Sequence, residues 1–450
     1  MRISHIRLRN FRAHDDSRIE WDEGVNLLVG SNGAGKTNVL EAIHVLCLSR
    51  SFLASSDRYV LQKGADHYEV EGTFIPDAAG DGAAGGNGSG EAAAAGRSTR
   101  PIRVRVAYAG GQGKKVFVNG APLERVSDLV GRVPVVVFSP DDHRITSEGP
   151  DERRRMLDTI MCQWSPVYMD ALIQYRRVLK QRNELLQASR RRNRAPDPTL
   201  LESWTEEFIR HAAVIIGARL RFVGQFADYL QAAYERVSDV TERPTMRYEP
   251  IDGLAAASDD VDAAGAAPDA APDAAPDAAP DAAVSVKPPA PEAARIAERL
   301  REELERTGRS ERDRGATQVG PHRDEILMKL GELPVRRYAS QGQHRTFGMA
   351  LKLAQYDFLT DRTGEHPILL LDDVFDNLDP ERITAFLGVL NSDVMGQSIT
   401  TAARREIVLP YFDALDGAKT CRIIEIKNGE MAGEQAYGRD REAAADVTEA

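Results

Sequence analysis

The sequence predicts an α/β fold in which an α-helical lobe is inserted between the two halves of one α/β head. Two observations lead to this fold. A glycine-rich loop lies between a short apolar strand and a helix near the N-terminus, at residues 30–37. A second apolar strand ends in two carboxylates more than 300 residues later, at residues 368–373. Because one phosphate site needs both segments, the chain between them must leave the head and return to it.

The glycine-rich loop fits G-x-x-x-x-G-K-[ST] at every fixed position. It follows a predicted strand at Val25–Val29 and opens a predicted helix at Asn38–Leu48, an order that a chance glycine-rich turn, the alternative, does not require. Successive backbone N–H groups and the helix N-terminus then point at phosphate. Lys36 is expected to reach the β- and γ-phosphates of ATP, and Thr37 to hold Mg²⁺. The expected nucleotide-binding residues here are Gly30, Ser31, Asn32, Gly33, Ala34, Gly35, Lys36, Thr37 and Asn38.

Composition bounds the class of protein. A chain of 450 residues that is 42% hydrophobic can bury one large core or two modest ones. No apolar run approaches the roughly 20 residues that span a bilayer, and the N-terminus lacks the apolar segment of a signal peptide. Three widely separated cysteines favour neither a disulfide framework nor a zinc site. We therefore expect a cytoplasmic protein without membrane partners.

The net charge of −11 is concentrated in two segments. Residues 252–291 carry a net charge of −7 and residues 429–450 a net charge of −4, so the remainder of the chain is neutral. A folded domain with no net charge can still carry local basic patches. The negative net charge of the whole chain therefore does not exclude a nucleic-acid partner.

Low-complexity segments mark the domain boundaries. Residues 77–99, rich in Ala and Gly, are expected to form a long loop between strands. Residues 252–291 contain four Pro-Asp-Ala-Ala units, whose period suits neither helix nor sheet, and predict a disordered linker. Residues 429–450 are expected to form a flexible tail.

Three folded blocks remain. Residues 1–149 form the N-terminal half of the head, residues 150–251 the helical lobe, and residues 292–428 the C-terminal half. The first block is rich in predicted strands, and Val118-Asn119-Gly120 is typical of a hairpin turn. Its predicted strands are Ile3–Leu8, Val25–Val29, Tyr68–Phe74, Ile102–Ala109, Lys115–Val118 and Val135–Phe138.

The strand at residues 368–371 ends in Asp372 and Asp373, the Walker B arrangement. Asp372 is expected to hold Mg²⁺ beside Thr37, and Asp373 to orient or deprotonate the attacking water. The alternative is a core strand with a polar exit. Upstream, Ser340-Gln341-Gly342-Gln343 opens an apolar helix and offers a second anion-binding N-terminus.

The tetrapeptide at residues 340–343 resembles the signature motif of ABC-type ATPases. In that class the signature of one subunit closes over the γ-phosphate that the P-loop of another subunit holds. The resemblance therefore implies an ATP-dependent homodimer in which Ser340, Gln341, Gly342 and Gln343 contact nucleotide across the interface.

A series of further motifs occurs in order along the chain. The motifs are Leu8–Arg12, Gly30–Asn38 with Glu41-Ala42, Phe138–Asp142, Arg153–Arg155 with Leu157-Asp158, Tyr175 with Gln181–Asn183, Gly320–Asp324, Ser340–Arg345 and Leu371–Asp373. Together they are similar to the RecF family, whose members are related to Rad50 and SMC heads. The resemblance covers nearly the whole chain outside the two low-complexity inserts and the tail. It implies an ABC-type, Rad50/SMC head-like P-loop ATPase head with an inserted α-helical lobe.

The same resemblance implies the activity and the partners. It implies a slow, DNA-stimulated ATPase that works as a switch, and an ATP-induced dimer that clamps DNA near single-/double-strand junctions. It further implies cooperation with RecO and RecR in loading RecA during recombinational gap repair and replication restart. A non-DNA signalling or anti-phage ATPase with a similar head is a competing function, and a transporter subunit is another.

Some catalytic positions depart from the usual pattern. Asp373 is shorter than the Glu that most ABC-type sites carry, which is consistent with slow turnover. No switch histidine follows the next predicted strand, and Thr401 is the candidate γ-phosphate sensor. Ser139, Asp141 and Asp142 occupy the bend where other ABC proteins have a Gln.

Basic residues of the lobe are candidate DNA contacts, although charges on a solvated helix face are the alternative. Arg153–Arg155 either pair with neighbouring acids or touch DNA. Arg190, Arg191, Arg192 and Arg194 are expected to lie in an exposed loop and to attract DNA non-specifically at most. The candidate phosphate-tracking face consists of Arg176, Arg177, Lys180 and Arg182.

Two further groups have open roles. His322 either reaches nucleotide or the partner subunit or is a buried structural histidine. Phe11, Arg12 and His14 follow the first strand, near the place where related heads contact the base.

Overall fold

The computed structural model describes residues 1–77, 100–238, 242–250, 291–375, 380–390, 392, 394–404 and 421–437. The helices are α1 Lys36–Leu48, α2 His143–Ser147, α3 Pro150–Trp164, α4 Pro166–Arg192, α5 Pro198–Val237, α6 Pro291–Arg314, α7 Val335–Tyr338, α8 Gln341–Thr363 and α9 Pro380–Leu390. The strands are β1 Arg2–Phe11, β2 His14–Glu20, β3 Val25–Val29, β4 His67–Ile75, β5 Ile102–Ala109, β6 Gly113–Val118, β7 Ala121–Pro122, β8 Val135–Phe138, β9 Pro244–Glu249, β10 Glu325–Leu330, β11 Leu333–Pro334, β12 Ile368–Leu371, β13 Ser398–Ala402, β14 Cys421–Lys427 and β15 Glu430–Tyr437.

The central sheet joins both halves of the chain. Its strand order is β15-β14-β3-β13-β12-β8, and every pair is parallel except the edge pair β14–β15. Strands β3, β12 and β13 are buried at every residue because both faces of the sheet are covered there. Along β3, Leu27 faces the core shared with the helical lobe, while Leu28 faces the core shared with α1. The predicted division of one head between distant segments is confirmed.

A second sheet covers α1 from the other side. Its antiparallel order is β2-β1-β4-β5-β6-β7, and its buried face shares a core with α1 and with one face of the central sheet. The predicted hairpin turn is present, since Asn119 and Gly120 have φ values of 51° and 85° between β6 and β7. Helix α1 is thus enclosed between two sheets, which fixes the P-loop at its N-terminus.

The helical lobe is built from α3, α4, α5 and α6. Prolines at the first positions of α3, α4 and α5 suit helix starts, and Ser165 and Asp197 cap the second and third of these helices. Helix α8 joins the lobe to the head, where Phe358 packs edge-on against Phe222 with ring centroids 5.1 Å apart. None of the helices that the structure describes is long and apolar enough to cross a bilayer.

The predicted boundaries of the lobe are wrong at two places. Strand β9 lies in the segment predicted to be helical and pairs with β10, which belongs to the next block. Helix α6, assigned to the C-terminal half, packs on the lobe instead, with Ile296, Leu300 and Leu304 in the core that contains the lobe helices. The apolar pattern identifies a helix but not the surface on which it packs.

The low-complexity segments fall mostly outside the described residues. This holds for residues 78–99 of the predicted loop and for residues 251–290, which include nearly all of the predicted linker. The predicted tail is wrong for residues 430–437, because they form β15 and pair antiparallel with β14. The rest of that tail, residues 438–450, lies outside the description.

A buried ion pair ties α4 to α6. Arg182 Nη2 donates to Glu311 Oε2 at 2.6 Å, and Arg182 Nη1 donates to Thr317 Oγ1 at 2.6 Å. Both charged side chains are almost completely buried, Arg182 at 3% exposure and Glu311 at 1%. The prediction that Arg182 contacts DNA is therefore wrong. Its guanidinium is buried between two helices that are far apart in sequence, and it is hydrogen-bonded there to Glu311 and Thr317.

We predict that Arg182→Met destabilises the lobe, because it leaves the Glu311 carboxylate buried without its counter-charge, at a cost of about 3–5 kcal/mol. The measurement is the shift of the unfolding transition in calorimetry. Arg177→Met, at an exposed position of the same helix, is the matched control. The double variant Arg182→Met/Glu311→Leu should recover much of the loss; equal destabilisation by the single and double variants would contradict this account.

Candidate nucleotide-binding site

The P-loop connects β3 to α1. Gly33 and Gly35 have φ values of 81° and 108°, which favour glycine. At Gly30 a Cβ atom would come within 2.3 Å of the carbonyl oxygen of Ile426 on β14, so a side chain does not fit there. Helix α1 begins at Lys36 without a side-chain cap, so its first N–H groups are available to an anion.

Lys36 lies over the loop that precedes it. Its Nζ donates to the carbonyl oxygens of Gly30 at 2.8 Å and Ser31 at 3.2 Å, and the residue is 4% exposed. The P-loop thereby holds the ammonium group of Lys36 against its own backbone carbonyl groups. This is the position from which an ammonium group neutralises bound phosphate.

The carboxyl end of β12 meets the P-loop directly. Thr37 Oγ1 donates a hydrogen bond of 2.8 Å to Asp372 Oδ1, across 335 residues of sequence. Burial, together with the neighbouring Asp373, raises the pKa of Asp372 above its usual value. The structure thus places the two predicted metal-binding residues side by side, and a hydroxyl and a carboxylate are oxygen donors that suit Mg²⁺.

Thr401 connects both carboxylates to β13. Its Oγ1 lies 3.1 Å from Asp372 Oδ1 and 3.0 Å from Asp373 Oδ1, and it accepts a hydrogen bond of 2.8 Å from the backbone N–H of Asp373. Asp373 is also held in a left-handed conformation, with φ at 45°. Thr401, predicted as a phosphate sensor, therefore positions the two acids in this structure.

A cleft of about 540 Å³ opens beside Asp373. It is bounded by the bend after β8 and by the start of α8, including Ser139, Asp141 and Gln341. Asp142 in this bend is paired with Lys352 at 3.0 Å, and Ser139 caps the following turn. Asp142 thus has a structural partner on α8, and Ser139 has one in its own turn.

The signature segment forms the N-terminus of α8. Ser340 Oγ accepts from the N–H of Gln343 at 3.2 Å, and the Gln343 side chain accepts from the N–H of Ser340 at 2.8 Å, a capping box. Ser340 and Gln341 are exposed. Among the described residues, no hydrogen bond joins Ser340–Gln343 to the P-loop of the same chain, which leaves this helix start open to another molecule.

Comparison with known proteins identifies the family. A family model described as the RecF/RecN/SMC N terminal domain matches residues 2–422. A curated protein of Salinibacter ruber, described as DNA replication and repair protein RecF, is 44% identical over 414 residues, covering 92% of this chain and 88% of the relative. The chain belongs to the RecF family. A relative from Chloroherpeton thalassium with the same description is 36% identical and covers 90% of this chain and 96% of its own length.

Two solved structures confirm the predicted fold class. They are described as the recombination mediator protein RecF in the RecFOR pathway, one with ATPrS and one with ATP. Their TM-scores are 0.75 and 0.74, at 27% and 26% identity. Each alignment covers 96% of this chain, with 97% and 99% of the solved chains. The resemblance found in the sequence is thus confirmed over nearly the whole chain.

A bracket formed by His14, Ser17 and Gly429 supports the P-loop of this RecF-family chain. His14 is fully buried; its Nε2 donates to the Gly35 carbonyl at 3.1 Å, and its Nδ1 lies 2.9 Å from Ser17 Oγ. Ser17 Oγ donates to the Gly429 carbonyl at 2.7 Å, and the Gly429 N–H donates to Ala34 O at 2.8 Å. Burial lowers the pKa of His14. Sequence reasoning missed Ser17 and Gly429, since nothing local connects them to residue 35.

Arg12 and Phe11 also have structural partners. Arg12 makes two hydrogen bonds, of 2.8 and 2.7 Å, to the fully buried carboxylate of Glu41 on α1. Phe11, the last residue of β1, is fully buried in the core between the antiparallel sheet and α1. The end of β1 therefore packs against α1, the helix that carries the P-loop.

The predicted DNA-contacting face is largely paired with acids. Arg176 Nη2 lies 3.1 Å from Asp158, and Lys180 Nζ lies 3.9 Å from Glu184. Arg177 is exposed. Apart from Arg182, which is buried, this face remains a candidate, and two of its three charges, Arg176 and Lys180, have neighbouring carboxylates.

Several other basic residues that could have contacted DNA or nucleotide have partners within the chain instead. Arg153 forms two hydrogen bonds with Glu325, Arg154 pairs with Asp151, and Arg155 pairs with Glu152. His322 is enclosed by Tyr175 and Thr317, and burial lowers its pKa to about 4. The Arg153–Glu325 pair joins α3 to β10, whereas the other two arginines pair within α3.

We predict that His14→Phe weakens ATP binding about tenfold, because the ring remains while the hydrogen bond to Gly35 is lost, at about 0.5–1.5 kcal/mol per bond. Titration with a fluorescent ATP analogue measures the change. His67→Phe, at the exposed start of β4, is the matched control. Unchanged affinity in His14→Phe would show that the bracket does not position the loop.

Proposed function

We propose that this chain is an ATP-dependent DNA-binding protein of recombinational gap repair and replication restart, acting in the cytoplasm. The ATP-binding part of the proposal is carried by the hydrogen bond between Thr37 and Asp372, which joins the P-loop to the Walker B carboxylate. The DNA-repair part is supported by the 44% identity to a relative described as DNA replication and repair protein RecF. Bound ATP would lie on the N–H groups of residues 30–38, with Lys36 at its phosphates. Three free cysteines suit a reducing compartment.

Mg²⁺ fits the donor set of this site. Thr37 Oγ1 and Asp372 would hold it together with phosphate oxygens, and the ion would neutralise charge on the phosphates. Asp373, fixed by Thr401, would orient the attacking water. Because an aspartate is shorter than a glutamate, we propose slow hydrolysis that resets a switch.

The exposed start of α8 supports an ATP-induced homodimer. Ser340 and Gln341 present a capped helix N-terminus that makes no hydrogen bond to its own P-loop among the described residues. A second copy would bring its own nucleotide to this surface, where residues 340–343 would contact the γ-phosphate. ATP would then hold the two subunits together around DNA.

The pathway partners are proposed from the relatives. The solved relatives are described as acting in the RecFOR pathway. We propose that this chain binds DNA near single-/double-strand junctions and cooperates with RecO and RecR, which then load RecA. DNA would stimulate its slow ATPase.

We predict that Lys36→Met abolishes ATP-dependent binding to gapped duplex DNA, because it removes the charge that lies over the loop. Fluorescence anisotropy with and without ATP, across a salt series, measures binding. Lys63→Met, at an exposed position outside the site, is the control. ATP-dependent DNA binding that survives in Lys36→Met would refute the proposed function.

We further predict that Ser340→Arg preserves ATP binding by the monomer and blocks the ATP-dependent dimer, since the new side chain fills the surface that would face the partner's nucleotide. Light scattering with ATP gives the mass. Ser203→Arg, at an exposed position of α5, is the control. A Ser340→Arg variant that still dimerises with ATP would exclude this interface.

A further inference from the structure

The C-terminal ends of α4 and α6 meet at one end of the helical lobe. Arg190 Nη1 donates to the carbonyl oxygen of Arg314 at 3.0 Å. Gly315 follows α6 with φ at 69°, and a Cβ there would come 3.2 Å from Arg190 Cδ. Two segments that are more than 100 residues apart thus form one surface.

This surface carries seven exposed arginines and one exposed acid, Asp313, in the segments 190–194 and 309–314. None of the seven lies within 4.0 Å of a carboxylate oxygen in the part of the chain that the structure describes. By contrast, Arg299, Arg301 and Arg306 on α6 each pair with a glutamate. We name the seven the arginine tip: Arg190, Arg191, Arg192, Arg194, Arg309, Arg312 and Arg314.

The arginine tip stands on a fixed base. The buried pair of Arg182 and Glu311 lies beneath it, and Glu311 Oε1 also accepts from the N–H of Gln318 at 2.8 Å. Asn183 Oδ1 accepts from the N–H and the hydroxyl of Thr317, both at 2.8 Å. These bonds hold the two helix ends together despite the repulsion between their arginines. Arg182, which the sequence predicted to contact DNA, therefore holds the arginines of the tip in place.

The helix dipoles at the C-terminal ends of α4 and α6 explain only some of the arginines in the tip. Cations near a helix C-terminus are favoured by its dipole, and this accounts for residues in the last turns of α4 and α6. It does not account for Arg194, beyond the end of α4, nor for seven arginines with one exposed acid. An uncompensated cluster on a rigid base is suited to a partner of high negative charge density.

The side-chain chemistry favours a nucleic-acid backbone. Guanidinium groups match phosphate oxygens in geometry as well as in charge. Residues 187–197 and 309–318 contain no aromatic side chain on which an unpaired base could stack. We infer that the arginine tip binds the sugar–phosphate backbone of double-stranded DNA without reading its sequence, an inference that rests on the proposed DNA-binding function.

The test compares two triple variants of the full-length protein, with ATP present. One is Arg191→Gln/Arg192→Gln/Arg312→Gln in the tip. The other, Arg299→Gln/Arg301→Gln/Arg306→Gln, removes the same charge from paired arginines of α6. Affinity for duplex DNA is measured by anisotropy across a salt series. The tip variant should bind roughly tenfold more weakly or worse, and its log-affinity against log-salt slope should fall by up to about 2.7, while the α6 control stays near the unmutated protein.

Three results of this binding experiment would contradict the inference. Equal losses in both variants would overturn the inference, because net charge alone would explain them. Full affinity and an unchanged salt slope in the tip variant would overturn it as well, and loss of an acidic protein partner instead would reassign the surface. If the unmutated protein fails to bind duplex DNA with ATP, the proposed function fails first, and the inference with it.

Discussion

The pairing of β3 with two strands from the other end of the chain is the constraint on which the structure depends. Val25 lies opposite Ser398 of β13 on one side and Cys421 of β14 on the other. In a parallel sheet the carboxyl ends of neighbouring strands share one edge, and ligands bind there. The P-loop follows β3 and Asp372 follows β12, while Thr401 lies near the carboxyl end of β13. All three therefore lie at the same edge of the sheet. The site exists only once this sheet has formed.

The backbone around the P-loop is packed too closely for side chains. A Cβ at Gly30 would meet the carbonyl of Ile426, and a Cβ at Gly429 would come 2.0 Å from the carbonyl of Ala13. The hairpin of β14 and β15 is therefore part of the support of the nucleotide loop. Residues 430–437 form a strand, although their composition is that of a tail, because they pair with β14.

The lobe shows how burial decides what a charge does. Arg182 and Arg190 lie two helical turns apart on α4, and the sequence around them is similarly basic. Arg182 pairs with Glu311 of a distant helix and is buried, whereas Arg190 donates to a carbonyl group and stays exposed. An ion pair across 129 residues leaves no local signal, so a helical stripe cannot separate structural from surface arginines.

The sequence by itself determined the features that are coded locally. The P-loop, its flanking strand and helix, the Walker B strand, the helix start at Ser340 and the Asn119-Gly120 turn follow from residue types at fixed spacing. Motif order was sufficient to identify the family. Only the tertiary structure decided the placement of α6 and β9, the bracket of His14 and Gly429 under Gly35, and the roles of Thr401 and Arg182. Those contacts join segments distant in sequence, and their energies depend on burial and partners that exist only in the folded chain.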